Sequence, residues 1–257
     1  MKKTLMLLYG IIAYAIFFGT FLYAVGFVSS WFVPKHIDSP PQSSLGFALL
    51  VNAGLLSLFA IQHSVMARPA FKRWWTQFVP TAIERSTYVL LASLCLILLF
   101  WKWQPMGGII WSVESEGAAT FLKSLSMLGF GIVLVATFLI NHFDLFGLRQ
   151  VWLNFRGEKY TDLPFRTPFF YKYVRHPLYL GFMIAFWATP VMTAAHLFFA
   201  IMTTLYMLTA IQFEERDLTA HFGARYKEYK RSAPMLIPFT KASKDKKADQ
   251  EASKVTV

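Results

Sequence analysis

The stretch L-Y-L-G-F-M-I-A-F-W-A-T-P-V-M-T-A-A-H-L-F-F-A-I-M-T-T-L-Y-M-L-T-A-I-Q, residues 178 to 212, is too long for one membrane helix and too short for two full ones. A hydrocarbon core of about 30 Å takes roughly 20 apolar residues in a helix. Pro190, followed by Thr193, Ala194, Ala195 and His196, supplies a break near the first third. The stretch therefore reads as a hairpin, with a short arm to about Thr189 and a longer arm from about Ala194 to Glu215. Both arms are expected to be helical, because an open sheet leaves backbone groups unpaired in lipid.

Four further apolar spans precede the hairpin: Leu5 to Phe32, Leu45 to Met66, Ser86 to Trp103 and Phe121 to Phe143. Composition agrees with a chain built for lipid. Of 257 residues, 56% are hydrophobic and only 15% charged, against about 25% charged in a soluble domain. The net charge of +11 does not point to nucleic acid, since the basic residues sit between and after apolar spans. Cys95 is the single cysteine, which excludes an internal disulfide framework or a cysteine-based metal site. The N-terminal apolar run is about twice a signal-peptide core and lacks a clear small-residue cleavage site, so it reads as a retained helix.

The charges orient the spans. Lys2 and Lys3 precede the first; Arg68, Lys72, Arg73 and Arg85 follow the second; Arg149, Arg156, Lys159, Arg166, Lys172 and Arg175 follow the fourth. The alternate loops hold Lys35, Asp38, Glu114 and Glu116, close to neutral or acidic. An excess of Lys and Arg marks cytoplasmic loops. The expected fold is an all-α polytopic membrane bundle of six helices with both termini cytoplasmic, placed in a bacterial inner membrane. Trp31, Trp74, Trp75, Trp101, Trp103, Trp111 and Trp152 mostly fall where interfacial aromatic belts belong. One membrane domain covers 1–240: four helices in 1–148, a cytoplasmic loop in 149–177, and the hairpin with its C-terminal segment in 178–240. Residues 241–257 form a polar, disordered tail. Residues 218–231 read as an amphipathic helix with Leu218, Phe222, Tyr226 and Tyr229 on one face.

Polar chemistry gathers at the lip of the hairpin. In Y-V-R-H-P-L-Y-L-G-F, residues 173 to 182, Pro177 suits the first turn of a helix, placing Arg175 and His176 at its N-terminus. Free backbone N–H groups there favour an anion such as a carboxylate. Glu214 and Glu215 close the longer arm at about the same depth. A carboxylate-binding end and an acidic, ammonium-binding end would then meet in one pocket fit for a zwitterionic amino-acid moiety with a cation nearby.

The pattern R-H-P-L-Y-L-G, then E-E, then F-G-A-R-Y-K-E-Y-K-R-S-A-P resembles the isoprenylcysteine carboxyl methyltransferase superfamily over Phe169 to Pro238. These are integral membrane enzymes that use S-adenosylmethionine. The resemblance implies cofactor roles for Tyr173, Val174, Arg175, His176, Tyr179, Gly181, Glu214 and Glu215. Upstream, Q-H-S-V-M-A-R-P-A-F-K-R-W-W (62 to 75), E-R-S-T-Y (84 to 88) and N-H-F-D-L-F-G-L-R-Q-V-W (141 to 152) are similar to a bacterial branch that contains the methanethiol S-methyltransferases. That likeness implies methyl transfer from S-adenosylmethionine to a small thiol, giving dimethyl sulfide and S-adenosylhomocysteine, with no metal, no nucleic acid and membrane lipid as the surrounding partner.

A thiolate is the competent nucleophile and a free thiol is largely protonated near neutrality. Either a group accepts or relays the proton, or the site selects thiolate. His142 or Asp144 is the expected base or relay, with His63 lining the pocket and Gln62 and Arg149 beside it. The plain alternatives are interfacial histidines bonded to water and an Asp144–Arg149 helix-end ion pair. Two rival functions remain at this level. One is methylation of a prenylcysteine carboxylate or a phospholipid amine; the other is a non-enzymatic membrane component of nitrogen-oxide respiration, also found in the bacterial branch.

Overall fold

A computed structural model describes residues 1–240; the polar tail expected after Thr240 lies outside the described residues. The helices are α1 (Lys2–Ser29), α2 (Leu45–Ala67), α3 (Pro69–Trp75), α4 (Thr81–Lys102), α5 (Glu116–Ile140), α6 (His142–Leu145), α7 (Leu148–Arg156), α8 (Pro177–Trp187), α9 (Ala194–Phe222) and α10 (Ala224–Ser232). Two strands, β1 (Ile109–Ser112) and β2 (Val191–Thr193), pair antiparallel. Helices α1, α2, α4, α5 and α9 are long and apolar enough to cross a membrane. The all-α polytopic bundle read from hydropathy is the fold.

Helix α8 is the short arm. Its 11 residues reach about 16 Å, half the hydrocarbon thickness. It can be short because its ends are tied elsewhere. At one end Ala194 N–H donates to Gly108 O and Val113 N–H to Pro190 O, so β1 and β2 satisfy the backbone that a longer helix would have satisfied internally. These strands are an unexpected element. At the same end His196, 1% exposed, lies 3.3 Å from Asp38 Oδ2 and 2.9 Å from Phe186 O. This pins the start of α9 to the α1–α2 loop.

Along its length α8 is held to α5 by small residues that let two backbones approach, as membrane helices commonly do. A Cβ on Gly129 would lie 2.6 Å from Gly181 O and from Ala185 N. Ser126 Oγ donates to Ala185 O at 2.8 Å in the same seam. The seam sets how deep α8 sits.

Three boundaries and one residue's placement differ from the sequence reading. Helix α1 stops at Ser29 because Ser30 turns left-handed (φ 58). The expected loop 149–177 carries α7, whose Val151 is fully buried against Gly10 of α1. Trp103, placed in an aromatic belt by its position, is fully buried and donates to Ile37 O at 3.3 Å. The amphipathic tail is two helices, because Gly223 (φ 59) breaks it between Phe222 and Ala224. Its apolar face still converges: Leu218, Phe222, Tyr226 and Tyr229 pack around Phe165.

Gly129→Val is expected to destabilise the protein by about 1–3 kcal/mol through overpacking of the α5–α8 seam. Gly131→Ala, where an added Cβ meets nothing within 4 Å, should leave the thermal midpoint in detergent unchanged or slightly raised. Thermal unfolding followed by tryptophan fluorescence checks both.

Candidate functional site

The entry of α8 is bolted to the chain that leaves α10. Arg175 N–H donates to Pro234 O at 2.9 Å and His176 N–H to Met235 O at 3.2 Å. Tyr229 OH donates to Tyr171 O at 2.5 Å. Inside this frame stands Glu215. Its Oε1 accepts from Arg175 Nε at 2.6 Å and lies 3.1 Å from His176 Nε2, while Oε2 is 3.0 Å from Lys230 Nζ. Arg175, His176 and Glu215 are each about 5–6% exposed. Arg175 Nη1 also donates to Lys230 O at 3.1 Å and to Ala233 O. An ionised carboxylate taken from water is tolerated when cations and hydrogen bonds surround it, and here they do.

This revises the expected pocket. Glu215 is committed to Arg175, His176 and Lys230, so it is not a free receptor for an ammonium group. The Arg175 guanidinium is likewise engaged, and the backbone N–H groups of Arg175 and His176 are spent on 234–235. Successive residues on a helix point about 100° apart, so the E-E pair splits. Glu214 keeps 42% of its side chain exposed, with Oε2 3.8 Å from His176 Nδ1 and Tyr179 beside it. Glu214 is the available carboxylate. Of the other expected cofactor residues, Val174 is buried (3%), Tyr173 is exposed (54%), and Gly181 faces Gly129 as a packing position.

A second group comes together beside Glu214 from α2, α4, α8 and α9. Tyr88 OH lies 3.0 Å from His63 Nδ1 and 2.9 Å from Nε2, so it faces the ring edge between them. Phe59 stacks on the other side, ring centres 5.2 Å apart. Tyr206 OH and Ser64 Oγ are 3.3 Å apart. Tyr88, Tyr179, Tyr206 and Glu214 are electrostatic neighbours of one another. Arg68 and Arg85 are the cations acting on His63. Arg68 pairs with Asp217 at 2.8 Å. Arg85 lies 4.8 Å from the Tyr88 ring centre, donates to Leu145 O at 2.7 Å, and makes no ion pair among the described residues. Gln62 Nε2 rests on Met66 Sδ at 3.1 Å and its Oε1 has no partner among the described residues.

His142 is set apart. It is 2% exposed, stacked on Phe138 at 4.2 Å, with Phe146 4.8 Å away. Thr137 donates its hydroxyl to Leu134 O at 2.6 Å, so it must accept from His142 Nδ1–H at 2.8 Å. Nε2 therefore accepts from Tyr14 OH, also at 2.8 Å. Both ring nitrogens are occupied and the tautomer is fixed. Tyr14, halfway along α1, is thus a specific partner of His142. Asp144 pairs with Arg149 at 2.9 Å, the plain alternative named from sequence, and Arg149 also binds Thr161 O and Oγ1. Asp144 lines an open cleft of about 630 Å³ with Lys72, Arg85 and Tyr160. The structure thus joins His63 and Gln62 to the Glu214 neighbourhood, while His142 stands in its own aromatic box.

Tyr88, Tyr206, Arg85 and Lys230 were not singled out from sequence. Tyr206 had a usable signal, since it stands eight residues before Glu214 and so close to its helix face. Tyr88 closes E-R-S-T-Y and Lys230 lies in Y-K-E-Y-K-R, but neither contact follows from spacing.

Residues 129–220 match the isoprenylcysteine carboxyl methyltransferase (ICMT) family, a span that holds the Gly129–Gly181 contact of the α5–α8 seam and Glu214–Glu215 and stops before Lys230. The chain is 56% identical to the methanethiol S-methyltransferase of Crocosphaera subtropica over 239 residues, 93% of this chain and 94% of that protein. It is 58% identical to methanethiol S-methyltransferase 2 of Bradyrhizobium diazoefficiens over 90% of this chain and 89% of that protein. Mouse nurim is 30% identical over 64% of this chain and 65% of its own. No solved structure matches the chain.

Burial holds His142 below its ordinary value of 6.5. A histidine whose folded value is depressed contributes stability that is full above the unfolded value and is lost as pH falls through it. Stability in detergent should therefore decline on acidification from about pH 7 to 5. His142→Gln should flatten that part of the decline. Equal slopes in equilibrium unfolding of the two proteins would remove His142 as its source.

Proposed function

The chain belongs to the methanethiol S-methyltransferase family, and we propose on that premise that it methylates methanethiol with S-adenosylmethionine, releasing dimethyl sulfide and S-adenosylhomocysteine. The observation that carries the cofactor part is the split of the acidic pair. Glu215 is locked by Arg175, His176 and Lys230, which leaves Glu214 half-exposed beside Tyr179 at the entry of α8. The bound cofactor supplies an electrophilic methyl on a sulfonium, and its amino-acid end carries an ammonium and a carboxylate. Glu214 suits the ammonium as a charge-assisted acceptor. The first-turn N–H groups of α8 at Leu178 and Tyr179, which have no partner within a helix, suit the carboxylate. Arg175, His176 and Lys230 act through Glu215, holding the α8 entry against the end of α9.

The acceptor, a small thiol, is placed beside His63 in this reading. His63 meets Tyr88 between α2 and α4, Tyr88 and Tyr206 neighbour Tyr179 and Glu214, and Phe59 and Met66 offer apolar walls for a methyl group. Bringing two small reactants into line accounts for a large share of such a rate enhancement. The reaction is assigned to the cytoplasmic face of the bacterial inner membrane, since Lys2, Lys3, Arg68, Lys72, Arg73, Arg149 and Arg175 all belong to the same end of the bundle.

Headspace measurement of dimethyl sulfide from purified protein, methanethiol and S-adenosylmethionine tests the reaction; absence of product with folded protein overturns it. For the cofactor site, Glu214→Gln should weaken S-adenosylmethionine binding about 10–100-fold, the range for a hydrogen bond to a charged group. Calorimetry showing unchanged affinity would remove Glu214 from the site.

A further inference from the structure

The two histidines at this end of the bundle differ in one decisive respect. His142 has each nitrogen tied to a separate hydroxyl. His63 shares a single hydroxyl, Tyr88 OH, between two nitrogens and has no other partner among the described residues. One nitrogen of His63 therefore takes Tyr88 and the other remains open. When Tyr88 donates, the open nitrogen carries the proton and is itself a donor.

The charges nearby decide between the two tautomers' uses. The cations acting on His63 are Arg68, beyond the end of α2, and Arg85 on α4; around its partner Tyr88 lie Tyr179 on α8 and Tyr206 and Glu214 on α9, with Asp217 behind Arg68. Arg68 is neutralised by Asp217. Arg85 makes no ion pair among the described residues, although Glu84, Asp144, Glu158 and Asp162 line the cleft it borders, and its guanidinium lies over the ring of the tyrosine that holds His63. A cation so placed disfavours an imidazolium and favours an anion. It also strengthens Tyr88 as the donor toward His63.

We propose that the acceptor is bound as the thiolate, with neutral His63 donating its open N–H to the sulfur, Tyr88 fixing that tautomer, and Arg85 supplying the favourable field. This deepens the proposed function and rests on it. His63 is then an anion-holding group rather than a base. The thiol proton passes to water before binding. In the transfer itself the thiolate electron pair forms the new carbon–sulfur bond as the methyl–sulfonium bond breaks, and that bond's pair returns to the departing sulfur. No proton moves in the step.

A base and a thiolate holder predict different pH behaviour. With thiolate binding, kcat/KM for methanethiol rises about tenfold per pH unit from about pH 7 to 9, following the thiolate fraction. With a histidine base it is level over that range, because both reactants are already in their active forms. His63→Gln keeps a donor and loses the base, so it should retain the rising profile with kcat/KM reduced no more than about tenfold. His63→Leu should lose about 10–100-fold, Arg85→Lys should retain most activity, and Arg85→Gln should not. Retained S-adenosylmethionine affinity shows that each variant is folded. A second readout needs no turnover: methanethiol added to cofactor-free protein near neutral pH should show the ultraviolet absorption of a thiolate, lost in Arg85→Gln. A level wild-type profile, a His63→Gln variant as impaired as His63→Leu, or absorption of bound neutral thiol overturns the proposal. Because the absorption is read without cofactor, its failure counts against the thiolate site, and missing dimethyl sulfide counts against the proposed reaction.

Discussion

Glu215 is a carboxylate removed from water at the end of a membrane helix, and the arrangement around it follows from that. The effective penalty for burying such an ion is several kcal/mol. It is offset only if cations and donors come to it with good geometry. Arg175 and His176 arrive from the entry of α8 and Lys230 from α10, each within about 3 Å. Arg175 in turn binds the carbonyls of Lys230, in the last turn of α10, and of Ala233 just after it. One buried charge therefore fixes three chain segments relative to one another. The residue before it, turned by the helix, inherits a defined position without being consumed. A locked carboxylate and a free one, side by side, are a single device.

The depth of that device is set by the α5–α8 seam. Tyr171 OH reaches Ala136 O at the start of α8, and Ser126 meets Ala185 near its end, so α8 runs beside only part of α5. A glycine pair at the middle of the contact leaves no room for a shift in register without a clash. What α8 lacks in length is completed by β1–β2 and by the Asp38–His196 contact at the far end. The far end closes the backbone hydrogen bonds, and this frees the near end to present a helix N-terminus.

The membrane spans were legible because hydropathy is a one-dimensional property and lipid imposes a length. The break at Pro190 was legible for a similar reason, since proline removes a donor wherever it falls. The β1–β2 pair was not: G-G-I-I-W-S, residues 107 to 112, has no alternation, and its partner is about 80 residues away. Helix α7 was hidden by its polarity, its one fully buried residue, Val151, being matched to Gly10 far away in sequence. At the site, R-H-P and E-E announced themselves, but that Glu215 is spent and Glu214 free depends on Lys230, which spacing does not reveal. The ranking of the histidines was unreadable for the same reason. Tyr14 is 128 residues from His142, and Tyr88 is 25 from His63.

The chemistry explains why the cation should act at one remove. A thiolate and a sulfonium are both charged, and their products, a thioether and a second thioether, are neutral. Charge disappears as the transition state is approached, so an apolar, water-poor site favours the step but opposes the arrival of the ions. A guanidinium in direct contact with the thiolate would ease arrival and then stabilise the reactant more than the transition state, which lowers the rate. In the proposed arrangement Arg85 lies over Tyr88, and Tyr88 in turn meets His63, so the cation does not touch the thiolate. Its field raises the population of the anion, while the contacting group is a neutral N–H whose bond to sulfur weakens gradually as the negative charge is lost. A neutral donor backed by a distant cation is the arrangement that a charge-annihilating displacement calls for, and the ends of α2 and α4 supply it.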